Sequence, residues 1–82
     1  MMKVRVLFFS ILREQAGCGE VEIDVPVPAT ANDLWDRVEA EYPAVAAYRN
    51  STRVAVNREY VPADTVLSEK DEVAFIPPVS GG

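Results

Sequence analysis

Only one stretch of this chain carries a helical stripe long enough to cover a sheet, and strand-like segments flank it on both sides. Apolar residues at Ala31, Leu34, Trp35, Val38 and Tyr42 follow the three-and-four spacing of a single helix face. Thr30 is placed to cap the N-terminus. Asp33, three residues on, makes a variant capping box and brings a negative charge to the first turn. Tyr42 precedes Pro43, whose ring disfavours helical backbone in the residue before it, so the helix should end near Glu41. Trp35, the largest apolar side chain available, is expected to anchor the helix on the sheet.

Ahead of the helix, residues 3–9 alternate, with Val4, Val6 and Phe8 facing one way and Lys3, Arg5, Leu7 and Phe9 the other. Ser10 to Gly19 reads as a loop, with Gly17 and Gly19 supplying turn conformations. Glu20–Val25 is a half-buried strand, acids outward and Val21, Ile23 and Val25 inward. The two strands should form a hairpin that Pro26 and Pro28 end. After the helix, Pro43 to Thr52 is a connector with a short helical turn at Val45–Tyr48. A third strand runs over Arg53–Asn57, a turn follows at Asn57–Glu59, and Tyr60–Val61 returns briefly. Val66 and Leu67 should plug the core from a loop. The polar turn Ser68–Asp71 then feeds a last strand, Glu72–Ile76. A crossover through the helix lets the first and last strands lie side by side in parallel. The expected class is α+β, a mixed sheet with one main helix packed on one face.

Eighty-two residues make one domain with no room for a second core. The apolar fraction of 49% argues against disorder. No apolar run approaches the roughly 20 residues that cross a bilayer, so no membrane association is expected. The alternating charges of Met1–Val6 read as a strand and not as a signal peptide, which gives a cytoplasmic expectation. Net charge is −5 and Lys and Arg are unclustered, so no basic stripe exists to neutralise nucleic-acid phosphates. An acidic chain does suit a partner with a basic docking face. There is no histidine and a single cysteine, which removes His-based acid–base catalysis, Cys–His pairs, ordinary zinc sites and any intrachain disulfide. Cys18, between Gly17 and Gly19, reads as an incidental thiol, since no nearby cation is evident to activate it. No residue is suited to metal binding.

Beyond the last strand the chain is unusual. Pro77-Pro78 fix φ and supply no N–H donors, so the sheet ladder should end at Ile76 and the chain should continue stiff and extended. Val79-Ser80-Gly81-Gly82 completes the sequence. The two glycines have no Cβ, so this end can enter a channel or lie against another backbone where any side chain would clash. The α-carboxylate of Gly82 is then the reactive group. It is ionised at neutral pH and a poor electrophile until its oxygen becomes a leaving group, as in an acyl-adenylate. Terminal glycines also occur as frayed ends, and an inert end is the bland alternative. Residues 1–76 are thus expected to form the domain and 77–82 an extended tail, of which 78–82 should be mobile when free.

The run Asp71-Glu72-Val73-Ala74-Phe75-Ile76-Pro77-Pro78-Val79-Ser80-Gly81-Gly82 resembles the C-terminal signature of the molybdopterin synthase small subunit, a ubiquitin-like sulfur carrier of the MoaD type. Val6-Leu7-Phe8-Phe9 with Arg13-Glu14 resembles that family's opening strand, and Val54-Ala55-Val56-Asn57 its middle strand. The resemblance implies a ubiquitin-like β-grasp fold, the same arrangement that the element order suggests. It also implies a carrier that is no enzyme alone and binds no cofactor itself. An E1-like adenylating enzyme would use ATP to activate Gly82. A sulfur donor protein would then convert it to a thiocarboxylate. The tail would enter the molybdopterin synthase large subunit and deliver sulfur to cyclic pyranopterin monophosphate. In that scheme Gly82 bears the reactive group, Gly81 and Ser80 form a narrow tip, and Val79, Pro78 and Pro77 hold it away from the body. Sulfur carriage for thiamine synthesis or tRNA thiolation, a ubiquitin-like modifier of lysines, and a plain interaction domain are the alternatives that the residues leave open.

The alternation makes one further expectation. If the first and last strands are neighbours, Phe9 and Ile76 approach one another on the sheet face away from the helix, and Tyr60 could join them. A contiguous aromatic-rimmed cluster of this kind usually marks an interface. The resemblance assigns the same positions to the surface that grips the large subunit and the activating enzyme. Packing of Phe9 under the Ser10–Gly19 loop is the rival.

Overall fold

The computed structural model describes residues 1–78. Strand β1 (Met2–Phe8) buries every second residue, which places Met2, Val4, Val6 and Phe8 in the core. Strand β2 (Glu20–Val25) pairs with it antiparallel, Met2 opposite Val25 and Leu7 opposite Glu20. Between them lies a two-turn helix, α1 (Ser10–Ala16), where the sequence pattern predicts a loop. Two features hide it. Its N-cap, Phe9, makes no side-chain cap bond, and Leu12 is its one buried residue. A helix so short is unstable by itself, so burial of Leu12 in the shared core holds it. Gly17 closes it in the left-handed region, φ 80°, with its N–H donated to the Arg13 carbonyl at 3.0 Å.

Helix α2 (Ala31–Glu41) matches expectation at both ends. The Thr30 hydroxyl accepts from the Asp33 N–H at 3.3 Å, and the Asp33 carboxylate accepts from the Thr30 N–H at 2.8 Å, a complete capping box. Ala31, Leu34, Trp35 and Val38 are buried, and the Trp35 ring meets Phe75 edge-on at 4.5 Å between centroids. The connector after α2 is more regular than a single turn. Pro43–Ser51 forms a continuous 3₁₀ segment that buries Val45. Arg49 ties this segment to α2 through Asp36 at 2.6 Å and Glu39 at 3.1 Å.

Strands β3 (Arg53–Val56) and β4 (Glu59–Val61) pair antiparallel around Asn57 and Arg58. Both turn residues have positive φ, 51° and 72°, the geometry of a tight hairpin whose twist matches its strands. Strand β5 (Glu72–Ile76) inserts between β1 and β3, parallel to the first and antiparallel to the second. The sheet order is β2-β1-β5-β3-β4, a mixed sheet with α2 on one face. Leu67 is buried at 4% exposure while Val66 keeps 63%, so one residue of that pair plugs the core and not both. Among the described residues no helix is long and apolar enough to cross a membrane.

Candidate functional site

Strand parity builds a surface on the face away from α2. In β5, Val73 and Phe75 are buried in the core while Ala74 and Ile76 point to the opposite side. Register then aligns a row across four strands: Leu7 beside Ala74, Ala74 beside Ala55, and Ala55 opposite Tyr60. The two alanines floor the row and the larger Leu7 and Tyr60 rise at its ends. Size alone therefore makes a concavity, of about 370 Å³. Phe9 and Ile76 close it at the end where β5 finishes, and Arg58 and Glu72 line the remainder.

The structure thus brings Phe9, Tyr60 and Ile76 around one depression. Phe9 keeps 45% of its surface exposed and stands outside the core cluster, which removes the rival packing under the following segment. Tyr60 is more exposed still, at 63%. Ala55 is almost completely covered and yet lies outside the core cluster. Ala55, Arg53 and Arg58 escape the sequence reading, although β3 alternation would have put Arg53 and Ala55 on the face that carries Tyr60.

Charge frames the apolar floor. Arg5 bridges three strands through ion pairs with Glu72 on β5 and Glu20 on β2, the latter at 3.6 Å. Its hydrogen bond to Glu72, with Glu20 close by, raises the guanidinium above its ordinary value. On the other side the Arg53 guanidinium lies 5.8 Å from the centre of the Tyr60 ring, within cation–π range.

The ladder ends where the prolines require. Ile76 is the last paired residue of β5, opposite Arg53; Pro77 is buried and Pro78 exposed. A second hollow of about 350 Å³ lies at this root, lined by Ser51, Arg53, Tyr60, Ile76, Pro77 and Pro78. Val79, Ser80, Gly81 and Gly82, together with the expectation of a mobile tail, lie outside the described residues.

A model described as the ThiS family matches residues 6–82. The chain belongs to the ThiS family. Among curated relatives, the molybdopterin synthase sulfur carrier subunit of Mycobacterium tuberculosis is 39% identical over 85 aligned residues, covering 100% of both chains. The human protein of the same name is also 39% identical, covering 100% of this chain and 97% of that one. Among solved structures, the small archaeal modifier protein SAMP1 of Haloferax volcanii superposes with a TM-score of 0.89 at 30% identity, over 98% of this chain and 99% of that one. The resemblance carried by the tail motif and the β-grasp reading both hold.

Cys18 stands apart from this site. It is half-buried against the core, and its Sγ is 3.9 Å from the Tyr42 hydroxyl, whose ring packs on Phe8 from the helix side. That contact, with burial second, pushes the Tyr42 phenol above its ordinary value.

Proposed function

We propose that this chain is the sulfur-carrier subunit of a molybdopterin synthase. The observation that carries the reading is the junction at Ile76. There a core strand passes directly into a Pro-Pro stiffener and a Gly-Gly end, beside an exposed, aromatic-rimmed depression. The names of the full-length relatives support the choice of pathway. In this reading an E1-like enzyme uses ATP to adenylate the Gly82 carboxylate, replacing a poor leaving group with AMP. A sulfur donor protein displaces AMP, leaving a thiocarboxylate, and sulfur is a softer and better nucleophile than oxygen. The large subunit docks on Phe9, Tyr60 and Ile76 and receives the tail. Its active site then passes the sulfur to cyclic pyranopterin monophosphate, and two such transfers complete the dithiolene. This chain contributes a shape, a docking face and one reactive carbonyl, and needs no cofactor of its own.

Intact-mass measurement of the full chain isolated from its own cells tests this. A species heavier than the free acid by the exchange of one oxygen for sulfur is expected, and cells lacking the chain should lose molybdopterin. An unmodified carboxylate in cells that are making molybdopterin, with the pool unchanged on deletion, refutes the reading. The likeness to an archaeal modifier protein favours a second activity of the same activated carbonyl, amide formation with lysines of other proteins. Gly82-linked lysine adducts in the same samples would identify it.

A further inference from the structure

The hairpin that carries Tyr60 has little of its own to hold it. Strand β4 is three residues long, stands at the sheet edge and pairs only with β3 among the described residues. A two-stranded ribbon of this kind is marginal by itself. Its turn adds to the difficulty. Two consecutive residues take positive φ, and the second, Arg58 at 72°, occupies the position where glycine is favoured and a side chain is strained. Tyr60 and Arg58 nevertheless both line the depression. A contact outside the turn must hold them there.

Asn57 supplies that contact. The register that sets Val56 opposite Val73 continues by one step to set Asn57 opposite Glu72. In a hydrogen-bonded antiparallel pair the two residues exchange both N–H···O bonds. Asn57 gives its half, its N–H donating to the Glu72 carbonyl at 2.8 Å. The return bond is different: the Glu72 N–H donates to the side-chain Oδ1 of Asn57 at 3.1 Å. Backbone in the left-handed region, φ 51° here, cannot continue the ladder, and the amide side chain stands in for it. The same amide donates from Nδ2 to Asp71 Oδ1 at 2.9 Å, while Asp71 Oδ2 accepts the Ser68 N–H at 2.7 Å. A charged acceptor makes these the stronger bonds of the set. The clasp thus ties the end of the β3–β4 hairpin to the first residue of β5 and to the loop before it. Asn57 is exposed, so water competes for these bonds. Their loss should leave the core folded and free the hairpin locally.

We propose that Asn57 is a positioning residue of the docking face: clasped to Glu72 and Asp71, it fixes the hairpin on β5 and so holds Tyr60 and Arg58 at the rim that the large subunit meets. This rests on the reading of that face as the docking surface. The test is an exchange that conserves charge. N57D replaces the donor by a second carboxylate facing Asp71. D71N leaves one carbonyl oxygen for two donors. In the double variant N57D/D71N every bond returns: the carboxylate at position 57 accepts from the Glu72 N–H and from the new amide at position 71, whose oxygen accepts from Ser68. Affinity of the full chain for the large subunit is measured by titration calorimetry and corrected for the folded fraction seen by circular dichroism. Amide hydrogen exchange is followed across the hairpin. Each single variant should weaken binding roughly tenfold, the worth of one or two hydrogen bonds, with faster exchange confined to residues 57–61 and Glu72. The double variant should return affinity to within about twofold of wild type and restore the protection. N57G is a second probe. Glycine takes positive φ without strain but offers no amide, so N57G should fold and bind as weakly as N57D. Wild-type affinity per folded molecule in N57D or N57G overturns the proposal, as does a double variant that regains hairpin protection without regaining affinity. Y60A in the same titration separates the two readings. If Y60A binds as wild type, the docking face falls and the clasp's role with it; if Y60A binds weakly while N57D does not, only the positioning role falls.

Discussion

Phe8 and Phe9 are adjacent in sequence, and truncating each to alanine should have opposite consequences. Phe8 is 2% exposed and belongs to the core; Phe9 is 45% exposed and does not. Removing a buried phenylalanine costs roughly 3–5 kcal/mol, which approaches the whole stability of about 5 kcal/mol expected of so small a domain. Phe8→Ala should therefore keep only about 0–2 kcal/mol, so that up to about half of the chain is unfolded at 25 °C. For Phe9, an aromatic side chain offers about 200 Å² in total, so close to 90 Å² of it remains for a partner to cover. At about 25 cal/mol/Å² this is roughly 2 kcal/mol, or near thirtyfold in Kd. Its effect on folding should stay within about 0.5 kcal/mol, as for other surface positions. Titration calorimetry against the large subunit and a thermal melt of the free chain separate the two quantities. If Phe9→Ala melts early while its affinity per folded molecule is unchanged, the residue is packing and the depression is no docking site.

Deleting Gly82, or adding one residue after it, should abolish sulfur transfer in a reconstituted assay while the melting temperature stays put; retained transfer would move the chemistry off the terminus. Cys18→Ser should transfer sulfur at the wild-type rate, and a loss would make the thiol a participant. Thr30→Ala removes the hydroxyl half of the capping box, and should lower stability by about 1 kcal/mol in urea titration.

Alternation made most of this architecture legible, and the failures fall where alternation is silent. The parity of β1 and β5 could be read directly from Val4, Val6, Phe8, Val73 and Phe75, all of which are buried. Helix α2 announced itself through Thr30, Asp33 and the proline after Tyr42. Helix α1 did not, because Leu12 alone is buried and Phe9 supplies no capping side chain. Val66 and Leu67 are equally apolar. Pairing decides between them: Thr30 bridges Val66 at the edge, and the Leu67 N–H donates to the Ala29 carbonyl, which leaves only Leu67 in the core. At the candidate site, Phe9, Tyr60 and Ile76 were legible as outward residues. The depression itself was not, since it comes from register, which sets Ala74 beside Ala55 and leaves a floor between Leu7 and Tyr60.

That register also explains why the aromatic-rimmed depression and the prolines after β5 share one end. Parallel pairing puts Phe8 beside Phe75, so β1 and β5 run out together. The next residue of each, Phe9 and Ile76, faces away from α2. Had β5 run antiparallel to β1, it would end beside Lys3, a full strand length from Phe9. The crossover through α2 is what permits the parallel pairing. The same connection that covers the core therefore sets Phe9 and Ile76 side by side where β5 meets its two prolines.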